Sequence, residues 1–281
     1  MKIGICLISY NRKAFTERAI ESILLSNPDN LSVVIVDNNS TDGTQEMLLR
    51  YHTEKDIIKQ VVYNDKNENS GYAINQAFEI LSKDCDVMGS MPNDFVVTPG
   101  WDRNIKACIE ESGFDYVIGA IRHEPKNINK TTPSGNGHYI DSRIPRGCVF
   151  LKTEHWLNGF KMPTSPWCEE RKFHDILKPL KGATLASPGL RAQKCEYTNP
   201  DYIEYYNKTF GDRGLSNELA RRRKLEEQGL WGNKSFNWEE FLEKYYPNQK
   251  VDVEIEDIDD IDEIEDIEDV KDDPIKGYFY E

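Results

Sequence analysis

Val34-Ile35-Val36-Asp37-Asn38-Asn39-Ser40-Thr41-Asp42-Gly43-Thr44 passes from an unbroken apolar run into a polar turn and then into a helix start. The β-branched residues from Leu31 to Val36, with no polar alternation, read as a strand covered on both faces. Thr41-Asp42-Gly43-Thr44 can cap a following helix, predicted to run to about Tyr51. The same unit repeats outward. Ile3 to Ile8 is another apolar strand, and Ala14, Phe15, Ala19, Ile20, Ile23 and Leu24 mark one face of a helix ending at Leu25. A third strand is expected over Ile57 to Tyr63, a helix from Ser70-Gly71 to Leu81, and a short strand over Asp86 to Gly89. Pro99 is expected to start a helix to about Ile109, before a strand from Tyr116 to Ala120. Strand and helix signals in alternation predict an α/β domain with a mainly parallel sheet and helices on both faces.

The second half is less regular. Pro125, Pro133, Gly135 and Gly137 mark a long loop over 121–145. A strand is expected at Gly147 to Leu151, helices at Glu154 to Leu157 and Glu169 to Leu177, and a terminal β pair of Thr184-Leu185-Ala186 with Leu190 to Cys195. Residues 200–246 look helical and aromatic-rich, from Tyr202, Tyr205, Tyr206 and Phe210 to Trp238, Phe241, Tyr245 and Tyr246. They are expected to wrap the domain or meet a partner. The predicted organisation is 1–198 as the main domain (1–110 and 111–198 as its halves), 199–248 as a helical extension, and 249–281 as an acidic low-complexity tail.

The 281 residues carry a net charge of −14, but residues 251–273 alone hold −13, leaving −1 for the rest. A nearly neutral body lacks the clustered cations that a nucleic-acid face needs. The basic run Arg221-Arg222-Arg223-Lys224 is flanked by Glu218, Glu226 and Glu227 and reads as a solvated helix face. In the tail, Ile255, Ile258, Ile261, Ile264, Ile267 and Val270 recur every three residues, a period that fits neither a strand nor a helical stripe. A solvated segment is the expectation, with contact to a basic surface as its alternative. No apolar run reaches the roughly 20 residues of a membrane span, and the N-terminus reads as a strand instead of a signal peptide. Six scattered cysteines without a Cys-x-x-Cys pair suit reduced, buried thiols in a cytoplasmic protein.

Ligands of open parallel sheets bind at the carboxyl ends of the strands. Polar motifs follow each strand here: Ser9-Tyr10-Asn11-Arg12, then Asp37 to Thr44, then Asn69-Ser70-Gly71-Tyr72-Ala73-Ile74-Asn75, then Pro92-Asn93-Asp94. Asp37 can accept hydrogen bonds from a nucleobase or ribose, or cap its own turn. Gly71 permits close approach of a ligand to a helix start, with Asn75 one turn on. Asp94 can hold a divalent cation that bridges two phosphates, or serve as a turn acid.

In order and spacing these motifs resemble the family-2 glycosyltransferases of the GT-A fold. The resemblance covers about residues 1–195 and is firmest over 1–110. It implies transfer of a sugar from a nucleotide-sugar, a UDP-sugar, to an acceptor hydroxyl, with Mn²⁺ or Mg²⁺ and with inversion at the anomeric carbon. Ser9, Tyr10, Asn11, Arg12, Asp37, Asn39, Gly71, Asn75 and Asn93 would then line the nucleotide-sugar site, and Asp94 would match the metal-binding acid. The family's base lies in an acidic pair after a Gly-Phe segment. Gly159-Phe160 followed by Glu169-Glu170 supplies the candidates, Glu170 being preferred over Glu169. A helix start that favours acids is the other reading of this pair. Two departures stand out. Pro92 replaces the first acid of the metal motif, and Leu190-Arg191-Ala192-Gln193-Lys194-Cys195 lacks the family's histidine. His138 and His174 are the nearest substitutes in sequence, and Arg191 or Lys194 could stabilise a diphosphate instead. A module that binds a sugar nucleotide or glycan without catalysis is the rival reading. A nucleotidyltransferase is weaker still, because no basic glycine-rich phosphate loop follows the first strand.

Overall fold

The computed structural model describes residues 1–119, 130–131, 138–140, 148–164, 169–186, 190–192 and 238–248. The first half alternates as read through β1 (Ile3–Ser9), α1 (Lys13–Leu25), β2 (Leu31–Asp37), α2 (Thr44–Glu54), β3 (Ile58–Tyr63), α3 (Ser70–Leu81) and β4 (Val87–Pro92), and adds an unexpected short strand, β5 (Phe95–Val97). Then come α4 (Trp101–Lys106), a π-helical turn over Ala107–Glu111, β6 (Tyr116–Gly119), β7 (Lys130–Thr131), β8 (His138–Ile140), β9 (Val149–Lys152) and α5 (Thr153–Leu157). The last elements are α6 (Glu169–Leu177), β10 (Gly182–Ala186), β11 (Leu190–Ala192) and α7 (Trp238–Tyr245).

Among the described residues, nine strands form one sheet in the order β3-β2-β1-β4-β9-β6-β10-β8-β7. Successive residues of its central strands enter opposite cores, which is why those strands carry no polar alternation. Ile3, Ile5 and Leu7 of β1 pack with Val33 and Ile35 of β2 and with Ala19, Ile20 and Leu48 from α1 and α2. Cys6, Val34 and Val36 face the other way, onto Ala73, Ile74, Ala77 and Phe78 of α3 and, beyond them, Trp156, Phe173 and Leu177. Cys6, Cys85, Cys108 and Cys148 are buried free thiols, while Cys168 and Cys195 lie outside the described residues.

Four expectations need correction. The sheet is parallel through β3-β2-β1-β4 and between β6 and β10, but β9 runs antiparallel to both β4 and β6, so the whole sheet is mixed. The terminal β pair does not form. β10 joins the main sheet between β6 and β8, sending Ala183 and Leu185 into the core, and β11 instead covers the edge of β5 as an antiparallel partner. The 121–145 loop contributes two short antiparallel strands, β7 and β8. Pro99 does not open α4: Gly100, at φ 80°, occupies the left-handed position before Trp101.

Two contacts bring distant chain segments together. In α7, Trp238 and Phe241 stack at 5.5 Å between ring centroids and, with Tyr246, cover Val96 of β5. The Tyr246 hydroxyl donates to the Val97 carbonyl at 2.9 Å and lies 3.3 Å from that of Ser22. The other aromatic residues of 200–236 and the tail from 249 onward lie outside the described residues. Between α1 and α2, Glu17 and Glu21 are 6% and 8% exposed. Arg50 donates to Glu17 at 2.9 Å, and the Tyr51 hydroxyl donates to Glu21. Burial pushes the Glu21 carboxyl above its ordinary 4.5, against the Tyr51 hydrogen bond and the charge of Lys55, with Glu17 adding to the rise.

Tyr246→Phe should lower the urea unfolding free energy by about 1 kcal/mol, the usual loss for one buried hydrogen bond. The folded protein holds the Glu21 proton to higher pH than the unfolded chain does. Its contribution is therefore complete below 4.5 and is lost as pH rises through the raised value. Glu21→Gln keeps an oxygen for Tyr51 and removes that decline. Unfolding free energies measured from about pH 4 to about pH 7 should separate in favour of the variant toward neutrality.

Candidate active site

The register of the sheet sets three motifs side by side. Ser9 pairs with Asp37, Asp37 with Tyr63, and Ile8 with Pro92, so β1, β2, β3 and β4 end along one edge. The backbone bends sharply there. Asn11, Arg12 and Asn39 occupy the left-handed region at φ 50°, 58° and 67°, a costly conformation for a residue with a side chain and one that accumulates at functional sites.

Hydrogen bonds hold these bends. Asp37 is fully buried, and its carboxylate takes the Ser40 N–H at 2.9 Å, the Ser40 hydroxyl and the Gln45 amide at 2.9 Å. The Ser40 oxygen accepts the Asn11 N–H at 2.7 Å, and the Asn11 side-chain oxygen accepts the Thr41 N–H at 2.8 Å. Asp42 takes the Lys13 N–H at 2.9 Å and the Thr44 N–H at 3.2 Å, so one carboxylate serves the starts of both α1 and α2. The β1 and β2 turns are thus one hydrogen-bonded unit.

The β4 turn is fastened to the same unit. The Asn93 amide donates to Thr16 Oγ1 at 3.0 Å and reaches the Asn11 carbonyl at 3.4 Å, and Thr16 Oγ1 lies 3.2 Å from Ser9 Oγ. Ser9, Asn11 and Asn93 are therefore buried lining, at 0%, 4% and 8% exposure. Tyr10, Arg12 and Asp94 are partly exposed, and Asn39 is exposed. Among the described residues, no three His, Cys, Asp or Glu side chains gather closely enough to hold a metal ion.

The remaining sequence candidates lie further along the chain. Glu169 and Glu170 are the first two residues of α6, at the expected helix start. His138 falls in β8, His174 in α6 and Arg191 in β11, while Lys194 lies outside the described residues. Gly71 and Asn75 have protein neighbours. A Cβ at Gly71 would sit 1.8 Å from the Pro163 carbonyl oxygen, and Asn75 hydrogen-bonds Met162. Thr16, Ser40 and Gln45 escaped the sequence reading. Ser40, three residues after Asp37, has the spacing of an aspartate-capped turn, which could have revealed it. Gln45 and Thr16 carry no such local signal.

The described residues include no helix long and apolar enough to cross a membrane. Comparison with known proteins places this geometry in a family. Residues 4–164 match the profile of Glycosyl transferase family 2. An uncharacterized glycosyltransferase of Nostoc sp. is 27% identical over 124 residues, 44% of this chain and 36% of that protein. TuaG of Bacillus subtilis, named as a teichuronic acid biosynthesis glycosyltransferase, is 32% identical over 77 residues, 27% of this chain and 30% of that protein. The chain thus spans about a third of the length of the curated relatives it matches. Among solved structures, S. aureus TarS 1–349 aligns with a TM-score of 0.55 at 17% identity, covering 82% of this chain and 78% of that one. The mannosyltransferase PcManGT of Pyrobaculum calidifontis, in complex with GDP-Man and Mn²⁺, aligns with a TM-score of 0.54 at 16% identity, covering 78% and 64%. These likenesses establish the fold as GT-A. With its matched region extending over more than half of its length, the chain belongs to glycosyl transferase family 2.

Proposed function

We propose that this chain transfers a sugar from a UDP-sugar to an acceptor hydroxyl, with inversion at the anomeric carbon. The observation that carries this reading is the convergence of Ser9, Asp37 and Asn93-Asp94 at the ends of three adjacent parallel strands. Added support comes from the neighbours, since TarS 1–349 has been crystallised in complex with UDP-GlcNAc and with UDP. Tyr10, Arg12 and Asn39, at the bends after β1 and β2, line the nucleotide side, and Asp37, buried beneath them, fixes the turn. Asn93 lies beside the ribose or the sugar.

Asp94 lies with Asn93 in the two-residue turn between β4 and β5 and is the residue that would hold Mn²⁺ or Mg²⁺. A single carboxylate fits such a cation, which commonly takes one or two protein carboxylates and completes its shell with water and phosphate oxygens. Bound there, the cation would neutralise charge on the diphosphate. The chain's own chemistry is proton transfer and orientation. Glu170, or Glu169 beside it, takes the proton of the acceptor hydroxyl as that oxygen forms its bond to the anomeric carbon. Attack comes from the face opposite the diphosphate, which leaves with the electron pair of the broken C–O bond.

A screen of UDP-sugars and GDP-sugars, with Mn²⁺, Mg²⁺ or chelator and with released nucleotide as the readout, tests the proposal. It should return metal-stimulated release with a UDP-sugar, and Asp94→Ala should abolish the stimulation. Binding without turnover under every condition would favour the non-catalytic module to which Pro92 points. Glu170→Gln should lower turnover by about 10²- to 10⁴-fold with UDP affinity unchanged, as loss of a general base does. Product NMR should show the inverted anomer.

A further inference from the structure

The start of α3 grips the segment that leads into the acidic helix. Asn69 caps α3 through its side-chain oxygen, which accepts the Tyr72 N–H at 2.8 Å, and its amide donates to the Thr164 carbonyl at 2.7 Å. Asn75 donates to the Met162 carbonyl at 2.8 Å, and its oxygen accepts the Met162 N–H at 3.1 Å and the Trp156 indole N–H at 3.3 Å. Gly71 stands between them, and only the missing Cβ admits the Pro163 carbonyl. Met162, Pro163 and Thr164 are thus held in succession by Asn75, Gly71 and Asn69. Beneath this polar row, Met162 and Trp156 share a core with Ala73 and Phe78 of α3 and with Phe173 and Leu177 of α6.

We propose that Asn69-Ser70-Gly71-Tyr72-Ala73-Ile74-Asn75 is a clamp that sets the position of the acidic start of α6, which makes Asn69 and Asn75 positioning residues. The inference rests on the reading of Glu170 or Glu169 as the base. Four residues, and so five Cα-to-Cα steps, separate Thr164 from Glu169, a reach of at most about 18 Å. The clamp fixes the chain before that gap, and the burial of Phe173 and Leu177 fixes it after. Freedom lost on both sides narrows the range of positions open to the carboxylates, and misplacement by about 1 Å is enough to slow a reaction severely. The clamp therefore acts on turnover, leaving donor affinity to the turns after β1, β2 and β4.

Asn69→Asp separates the two roles of Asn69. A carboxylate still accepts the Tyr72 N–H, and its charge suits a helix start, but it has no N–H for Thr164. Asn75→Ala removes the other arm. In the full-length chain, hydrogen exchange over residues 160–168 should quicken at least about fivefold in both variants. UDP affinity by calorimetry should stay within about twofold, and kcat with the best donor of the screen should fall about tenfold or more at unchanged donor KM. Asn69→Asp should do this with little change in unfolding midpoint, which separates misplacement from a general loss of stability. Unchanged exchange, unchanged kcat, or UDP affinity that falls in step with kcat would each overturn the proposal. Failure of the underlying enzymatic reading is recognised separately, as a wild-type chain that turns over no donor.

Discussion

A buried relay, from the Asn11 N–H to the Ser40 hydroxyl to the Asp37 carboxylate, governs the geometry of the whole strand-end region. Asp37 is sealed from water and needs partners for its charge. Ser40 and Gln45 supply them, and in doing so Ser40 turns its oxygen toward Asn11. Removing the carboxylate would strand several donors at once, a loss larger than that of any single hydrogen bond. The relay keeps Asn11, Arg12 and Asn39 in the left-handed region, which the backbone does not favour by itself. Local strain is thereby offset by a network formed only when β1 and β2 are in register.

From that fixed point the domain is built in two layers of different character. On the face of α1 and α2, those helices pack on β1 and β2 in a core that runs on to Trp101, Phe150 and Leu185, and the buried Glu17, Glu21 and Tyr51 are settled there, with the exposed Arg50 reaching in to Glu17. On the opposite face, α3 meets segments from far along the chain, including Trp156, Met162 and α6. One layer carries the turns at the strand ends; the other relates them to the start of α6. An enzyme that joins two substrates needs these functions held separately, since each substrate's position is then set by its own scaffold.

Most strands and helices of residues 1–110, with β5 and the start of α4 as exceptions, were legible because their periods are strong and local, as the doubly buried runs of β1 and β2 illustrate. Asp37 and Asp94 were legible as candidates because strand ends in such sheets are where ligands bind. The partners of β10 and β11 were not legible. Their sequences specify extended chain, while the choice between each other and the edges of β6 and β5 is made by tertiary burial. The residues around Gly71 show the same limit. The motif announced a close approach, yet only the fold identified Pro163 as what approaches. A glycine reports that room is required and is silent on what fills it.

The seating of Tyr246 over Ser22 and Val97 has a consequence for the order of assembly. The hydroxyl bridges positions 149 residues apart to reach Val97 and 224 residues apart to reach Ser22. During synthesis, the amino-terminal half emerges with the outer side of Val96 still bare, and it stays so until the ribosome has released residue 246. Closing so large a loop is entropically slow relative to the neighbouring β-α pairings. For that interval a nascent chain presents an apolar site next to the segment bearing Asp94.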